Sequence, residues 1–182
     1  MILTKAKGPT YLVHFRRRRA GRTDYQRRLA LLKSGIPRMV VRKTNRYVVV
    51  HVTQFSDRGD VTVAHATSQS LKGYGFAGKC NAPSAYLTGL LVGRMAKVRG
   101  VSKVILDIGL HASTQGSIVF CAQKGAIDAG LESSLDEGKL PAEARITGSH
   151  LKNAADFAKA KEAVLKADLT AVASGKKKVE KK

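Results

Sequence analysis

The chain is poor in acid, poor in cysteine and without a long apolar run, and each shortage removes a class of protein. Its two cysteines, Cys80 and Cys121, cannot build a disulfide framework or a four-ligand zinc site, and both are expected to behave as small buried apolar residues. Met1–Tyr11 holds no apolar stretch of signal-peptide length, and no segment approaches a membrane span, so a cytosolic protein is expected with no membrane partner. Five histidines at 14, 51, 65, 111 and 150 show no His-x-x-x-His spacing, and no Cys-x-x-Cys occurs. No metal or cofactor is called for.

Acid is the sharpest deficit. Thirteen Asp and Glu stand against 33 Lys and Arg, for a net charge of +20 in 182 residues. That excess points to a polyanionic partner, with nucleic acid ahead of an anionic membrane. Residues 1–46 carry fourteen of the cations and a single acid, Asp24, and the end, Ser174–Lys182, adds five lysines against Glu180. The body between is close to neutral. Arginine dominates the first block, and a guanidinium can fork onto phosphate and stack on bases where an ammonium acts as a point charge.

A content of 43% hydrophobic residues supports a packed core. Met1–Gly21 lacks a hydrophobic period and reads as an extended basic arm with no core of its own. Thr23 is placed to cap a helix over about 24–33, with Tyr25, Leu29 and Leu32 on one side, ended by Gly35 and Pro37. Met39–Thr44, Tyr47–Thr53 and Val61–Ala66 read as strands of an antiparallel meander, the first two joined at Asn45-Arg46. Ser68–Ala82, with Gly73, Gly75 and Gly78, reads as a loop after a helical turn, and over Gly73–Gly78 backbone is expected to approach a partner closely. A helix from Pro83 to before Gly100 follows, with Leu87, Leu90, Leu91, Met95 and Val98 inward. Lys103–Ile108 then joins the sheet parallel after the helical crossover. Ser117–Leu131 is a second helix with Val119, Ala122, Ala126 and Ile127 inward. Asn153–Asp168 is a further one, capped by Asn153, with Phe157, Val164 and Leu165 as its stripe.

The fold class is therefore α/β: a mixed sheet of a three-strand antiparallel meander plus a parallel strand, with packed helices. The division expected is a basic arm and short helix over 1–35, an α/β core over 36–135, an extension with a helix over 136–173, and a Lys-rich disordered tail over 174–182. This order is similar to that of ribonuclease H-like nucleases, which cleave phosphodiesters with two magnesium ions held by converging carboxylates. The first strand here offers no acid, the Pro83–Gly100 helix contains none, and Asp107 stands alone. Asp107 is expected to be a structural hydrogen-bond acceptor, and Asp57 and Asp60 ordinary turn residues. A Gly73–Gly78 run that nominally matches a dinucleotide motif follows no clear strand and opens no clear helix, so it carries no such meaning.

The basic features form a pattern. Arg16, Arg17, Arg18 and Arg19 are consecutive, with Arg22 close behind, and such a block persists when solvated or neutralised by phosphate. Arg42, Lys43, Asn45, Arg46 and Tyr47 gather on the first hairpin, where cations, an amide and a ring can hold backbone, read a base edge and stack.

Four segments, Phe15–Gln26 (FRRRRAGRTDYQ), Arg38–Tyr47 (RMVVRKTNRY), Ala85–Arg94 (AYLTGLLVGR) and Lys124–Leu131 (KGAIDAGL), together resemble the 5S ribosomal RNA-binding proteins of the large ribosomal subunit. This is the family numbered eighteen in bacteria and archaea and five in the eukaryotic cytoplasm, and the arm looks like the archaeal and eukaryotic members. The resemblance spans about residues 10–135. It implies a non-enzymatic α/β body of the translational-machinery type, seated in the central protuberance. Its partners would be 5S rRNA, large-subunit rRNA and neighbouring ribosomal proteins. Carried onto this chain, the RNA contacts would be Arg16, Arg17, Arg18, Arg19, Arg22, Tyr25 and Arg28 in the arm. On the hairpin they would be Arg42, Lys43, Asn45, Arg46 and Tyr47, joined by Lys72, Tyr74 and Lys79 from the following loop. A magnesium-dependent nuclease and a generic nucleic-acid-compacting protein remain alternatives at this point.

Overall fold

The computed structural model describes residues 8–151 and 154–167. Valine-rich alternation and tight turns produce the expected meander: β1 (Arg38–Lys43), β2 (Val48–Gln54) and β3 (Val61–Thr67) pair antiparallel, and β4 (Ile105–Asp107) lies parallel to β1. The strand order is β3-β2-β1-β4. Between β1 and β2 the turn contains no left-handed residue; the Thr44 hydroxyl closes it, accepting from Tyr47 N at 3.0 Å and donating to Tyr47 O at 2.8 Å.

One face of the sheet is the core. Met39, Val41, Val48, Val50, Val52, Ala64 and Ala66 point there and are buried against α3 (Ala82–Val98) and α4 (Ile118–Asp128). Period-two alternation is what turns every second valine to that face. β1 lies inside the sheet and is buried on its other face too, at Arg38 and Val40. Asn81 caps α3 by accepting from Ser84 N at 3.1 Å, and Pro83 sits in the first turn, where its missing N–H is no loss. α3 is buried on almost every side rather than along one stripe, because sheet, α4 and the C-terminal helices surround it; Val98, expected inward, is exposed at the open end. Gly89 and Gly125 let α3 and α4 touch backbone to backbone, since a Cβ on Gly89 would run into Ala122 and one on Gly125 into Tyr86.

Several expectations are corrected at the ends of the chain. Arg16–Arg19 is not extended but forms one helical turn, α1, closed by Arg19 N to Phe15 O and Ala20 N to Arg16 O. Asp24, not Thr23, caps α2 (Tyr25–Leu32), accepting from Gln26 N and Arg27 N, because a carboxylate also complements the helix dipole. Leu29 is exposed at 56%, so α2 does not present the apolar side assigned to it. The 68–82 segment does open on the expected helical turn, a 3-10 helix over Ser68–Tyr74. Beyond the core a 3-10 turn (Glu137–Lys139) and α5 (Glu143–Thr147), neither anticipated, precede α6 (Ala154–Lys166). α6 docks on α3 through Phe157 and Val164, both buried, with the Phe157 ring 5.7 Å from that of Tyr86. Leu165 points outward. The Asn153 cap and the Lys-rich tail lie outside the described residues.

Candidate nucleic-acid interface

α1 places four guanidiniums on a single exposed turn, and Arg22 follows on the surface. Among the described residues none of these five arginines has a carboxylate partner; Arg17 Nε donates to Thr23 Oγ1 at 2.8 Å. Phe15 and Tyr25 pack ring to ring at 5.1 Å, which fastens the turn to α2. Five like charges this close repel, which makes the turn a favourable seat for a polyanion.

Behind the arm, α2 and the outer face of the sheet enclose a cleft of about 860 Å³. At its floor Arg38, 3% exposed, sits between two carboxylates: Nη2 to Asp60 at 2.5 Å and Nη1 to Asp107 at 2.8 Å. Asp60 also takes Arg28 Nη2 from α2, at 2.8 and 2.9 Å to its two oxygens. Asp107 also takes Arg42 Nη2 at 3.0 Å and Gly109 N at 2.9 Å. Burial alone would push both carboxyls up; at Asp60 the hydrogen bonds from Arg28 and Arg38 outweigh it. At Asp107 the Arg42 charge and hydrogen bond, the Gly109 N–H and the Arg38 charge do the same, so both pKa values lie below the usual carboxylate range. Asp60 is therefore more than a turn residue. Arg28 and Arg42, two of the expected RNA contacts, are the ones engaged by protein carboxylates. Two buried nitrogens in this region, Arg38 Nε and His51 Nδ1, have no hydrogen-bond partner among the described residues. Burial, then the neighbouring His65 and Arg42, hold the His51 pKa down.

A second, separate groove of about 580 Å³ opens at the far end of the hairpin. It gathers Asn45, Arg46 and Tyr47 from the β1–β2 turn with Lys72, Lys79, Cys80 and Asn81. Residues scattered over 37 positions of sequence thus share one concave surface. Lys43 is exposed beside it, its backbone N–H donated to His111 Nε2 at 3.3 Å. Tyr74 is half-buried against the core and does not line the groove. The close approach expected in the glycine loop is to the chain itself: a Cβ on Gly78 would collide with the carbonyl of Ser68.

Arg38, Asp60 and Asn81 were not among the expected site residues. Asn81 was findable as a cap ahead of Ala-Pro-Ser; nothing local marks Asp60 as the partner of two arginines 32 and 22 positions away. Among the described residues no group of three or more His, Cys, Asp or Glu could hold a metal ion. Asp107 is encircled by guanidiniums, which repel a cation, so the nuclease reading fails on geometry. No helix among them is long and apolar enough to cross a membrane.

An α/β body whose described residues include an arginine turn without a carboxylate partner and a cationic groove has the surface of a nucleic-acid-binding protein. Residues 9–100 match the family described as ribosomal large subunit proteins 60S L5 and 50S L18. The chain is 50% identical over 147 residues to large ribosomal subunit protein uL18 of Methanoregula boonei, covering 80% of this chain and 84% of that one. It is 49% identical over 153 residues to uL18 of Korarchaeum cryptofilum (83% and 78% covered) and 46% over 174 residues to that of Methanoculleus marisnigri (95% and 98%). The chain belongs to this family of large-subunit ribosomal proteins. Its role is accordingly structural, not enzymatic, within the cytoplasmic ribosome and in association with rRNA and other ribosomal proteins.

Proposed function

We propose that this protein binds 5S rRNA and attaches it to large-subunit rRNA in the central protuberance, alongside neighbouring ribosomal proteins. The observation that carries the reading is the α1 turn, whose arginines have no carboxylate partner among the described residues and stand on a support tied to the core through Arg28 and Asp60. In this reading Arg16, Arg17, Arg18, Arg19 and Arg22 grip phosphate, and Tyr25 holds the turn through Phe15. Arg28 and Arg42 act from within the ion-pair network, reaching RNA only at its exposed rim. Lys43, Asn45, Arg46, Tyr47, Lys72 and Lys79 form the second contact area, while Tyr74 packs half-buried against the core. The arm over 1–35 thus serves as grip and the 36–135 core as platform. Within the 136–173 extension α5 and α6 buttress α3, and the 174–182 tail adds diffuse attraction.

The test is filter binding of purified 5S rRNA with magnesium present and duplex DNA as competitor. Selective retention of intact RNA supports the reading. Equal affinity for duplex DNA would leave only a general polyanion binder.

A further inference from the structure

We infer that the groove between the β1–β2 turn and the 77–81 loop is a seat for a single unpaired, unstacked ribonucleotide. The inference rests on the RNA-binding reading and deepens it.

Charge is the first argument. Arg46, Lys72 and Lys79 line the groove, no carboxylate does, and none of the three side chains has an acidic partner among the described residues. The groove also abuts the N-terminus of α3, whose dipole adds positive potential. The second argument is chemistry. Tyr47 offers a half-buried ring for stacking, and two amides can read a base edge. Asn81 spends its oxygen on the Ser84 N–H, which leaves its amide nitrogen to donate; Asn45, at the turn, can both donate and accept.

Shape is the third. An A-form duplex offers a deep major groove that side chains cannot read and a shallow minor groove that a concave pocket cannot enter. Sequence-dependent RNA contacts instead take splayed bases on aromatic and guanidinium planes. The walls are also held at a fixed spacing. Buried Ser68 accepts from Val48 N at 3.2 Å, anchoring the hairpin wall, and its carbonyl abuts Gly78 of the loop wall. Lys79 N donates to Ser84 Oγ at 3.1 Å, tying the loop to α3. A site with such walls needs little ordering when the nucleotide enters.

Cys80 supplies a probe, because it lines the groove and is half-buried while Cys121 is fully buried. The full chain is alkylated with iodoacetamide at alkaline pH, alone and with saturating RNA, and each thiol is followed by mass spectrometry. Four RNAs are compared: 5S rRNA, large-subunit rRNA, a single-stranded hexanucleotide at high concentration, and a blunt duplex of equal length. Protection of Cys80 by about tenfold or more with the hexanucleotide and at least one rRNA, but not with the duplex, is expected. Which rRNA protects identifies the source of the nucleotide. Tyr47→Leu should weaken that RNA by about fivefold or more, and Tyr47→Phe, which keeps the ring, by less. An rRNA complex that forms while Cys80 reacts at its free rate overturns the inference and leaves the proposed function standing. Protection that arises only in the assembled subunit, with no RNA alone giving it, also overturns it, in favour of a protein occupant. Failure of 5S rRNA to bind at all overturns the proposed function first.

Discussion

Asp107→Asn probes the interaction on which the cleft is built. The substitution is nearly isosteric, yet it removes the charge facing Arg38 and Arg42 and turns an amide nitrogen toward one of two guanidiniums. Arg38 is 3% exposed, so water cannot replace what it loses. Removing one partner of a buried pair typically costs about 3–5 kcal/mol. Asp60 still holds the other guanidinium nitrogen of Arg38 at 2.5 Å, which argues for the lower end. The Arg42 pair is 39% exposed on the arginine side and adds at most about 1 kcal/mol. A loss of about 3–4 kcal/mol follows, or a fall in Tm of about 6–16 °C for a chain of this size. Denaturant titration and thermal melting of the RNA-free protein, followed by circular dichroism, measure it. Combining Asp107→Asn with Arg38→Met should cost less than the two single losses added, because the stranded charge is then absent. A single-variant loss below about 1 kcal/mol would refute the reasoning, since it would mean that Arg38 is solvated or satisfied elsewhere. RNA affinity should be nearly unchanged, because Arg42 Nη1 stays on the backbone carbonyls of Val41 and Asp107.

Three further outcomes are expected. Asp60→Asn makes the protein more positive, yet freeing Arg28 loosens α2, so selectivity for 5S rRNA over duplex DNA should fall about 2- to 12-fold; equal gains on both ligands would contradict the positioning role. Changing Arg16, Arg17, Arg18 and Arg19 together to Ala should flatten the log–log salt dependence of RNA binding by about 3, at roughly 0.7–0.9 per phosphate contact, with Tm nearly unchanged because α1 buries nothing. His51, Asp60 and Asp107 all have lowered pKa values in the fold, so the unfolded chain binds protons first and stability falls as pH falls. The His51 contribution is complete above about pH 6.5 and is lost as pH drops from there toward its folded pKa, whereas the carboxylate contribution is lost only below about pH 4. Tm of the wild type against His51→Gln, followed from pH 8 to 4, should diverge in the upper window, and parallel curves would deny His51 its part.

How much of this was legible from residues alone depends on the range of the interaction. Helices, strands and the parallel crossover were readable because Val48, Val50 and Val52, or Leu87, Leu90 and Leu91, recur at the period of their own element. The polyanion partner was readable because charge adds whatever the fold, and the arm concentrates it before the first strand. Val98 and Leu165 were misplaced because periodicity names a stripe but not where the covering neighbour ends. The 3-10 turn at Glu137–Lys139 and α5 are too short to show a period at all.

The division of labour among the arginines was decided only in three dimensions. In sequence Arg28, Arg38 and Arg42 look like Arg16–Arg19: cations in a basic stretch. Folding brings Asp60 from the β2–β3 turn and Asp107 from β4 against the first three, while the α1 turn gets no acid from the described residues. Likewise, Tyr47, Lys72 and Asn81 become one groove only because Ser68 holds a hairpin and a loop together. Local pattern determines what each segment is, since it acts over one turn or one pleat. Which charge is neutralised and which is left for a partner is a matter of contacts between segments, and those exist only once the chain has packed.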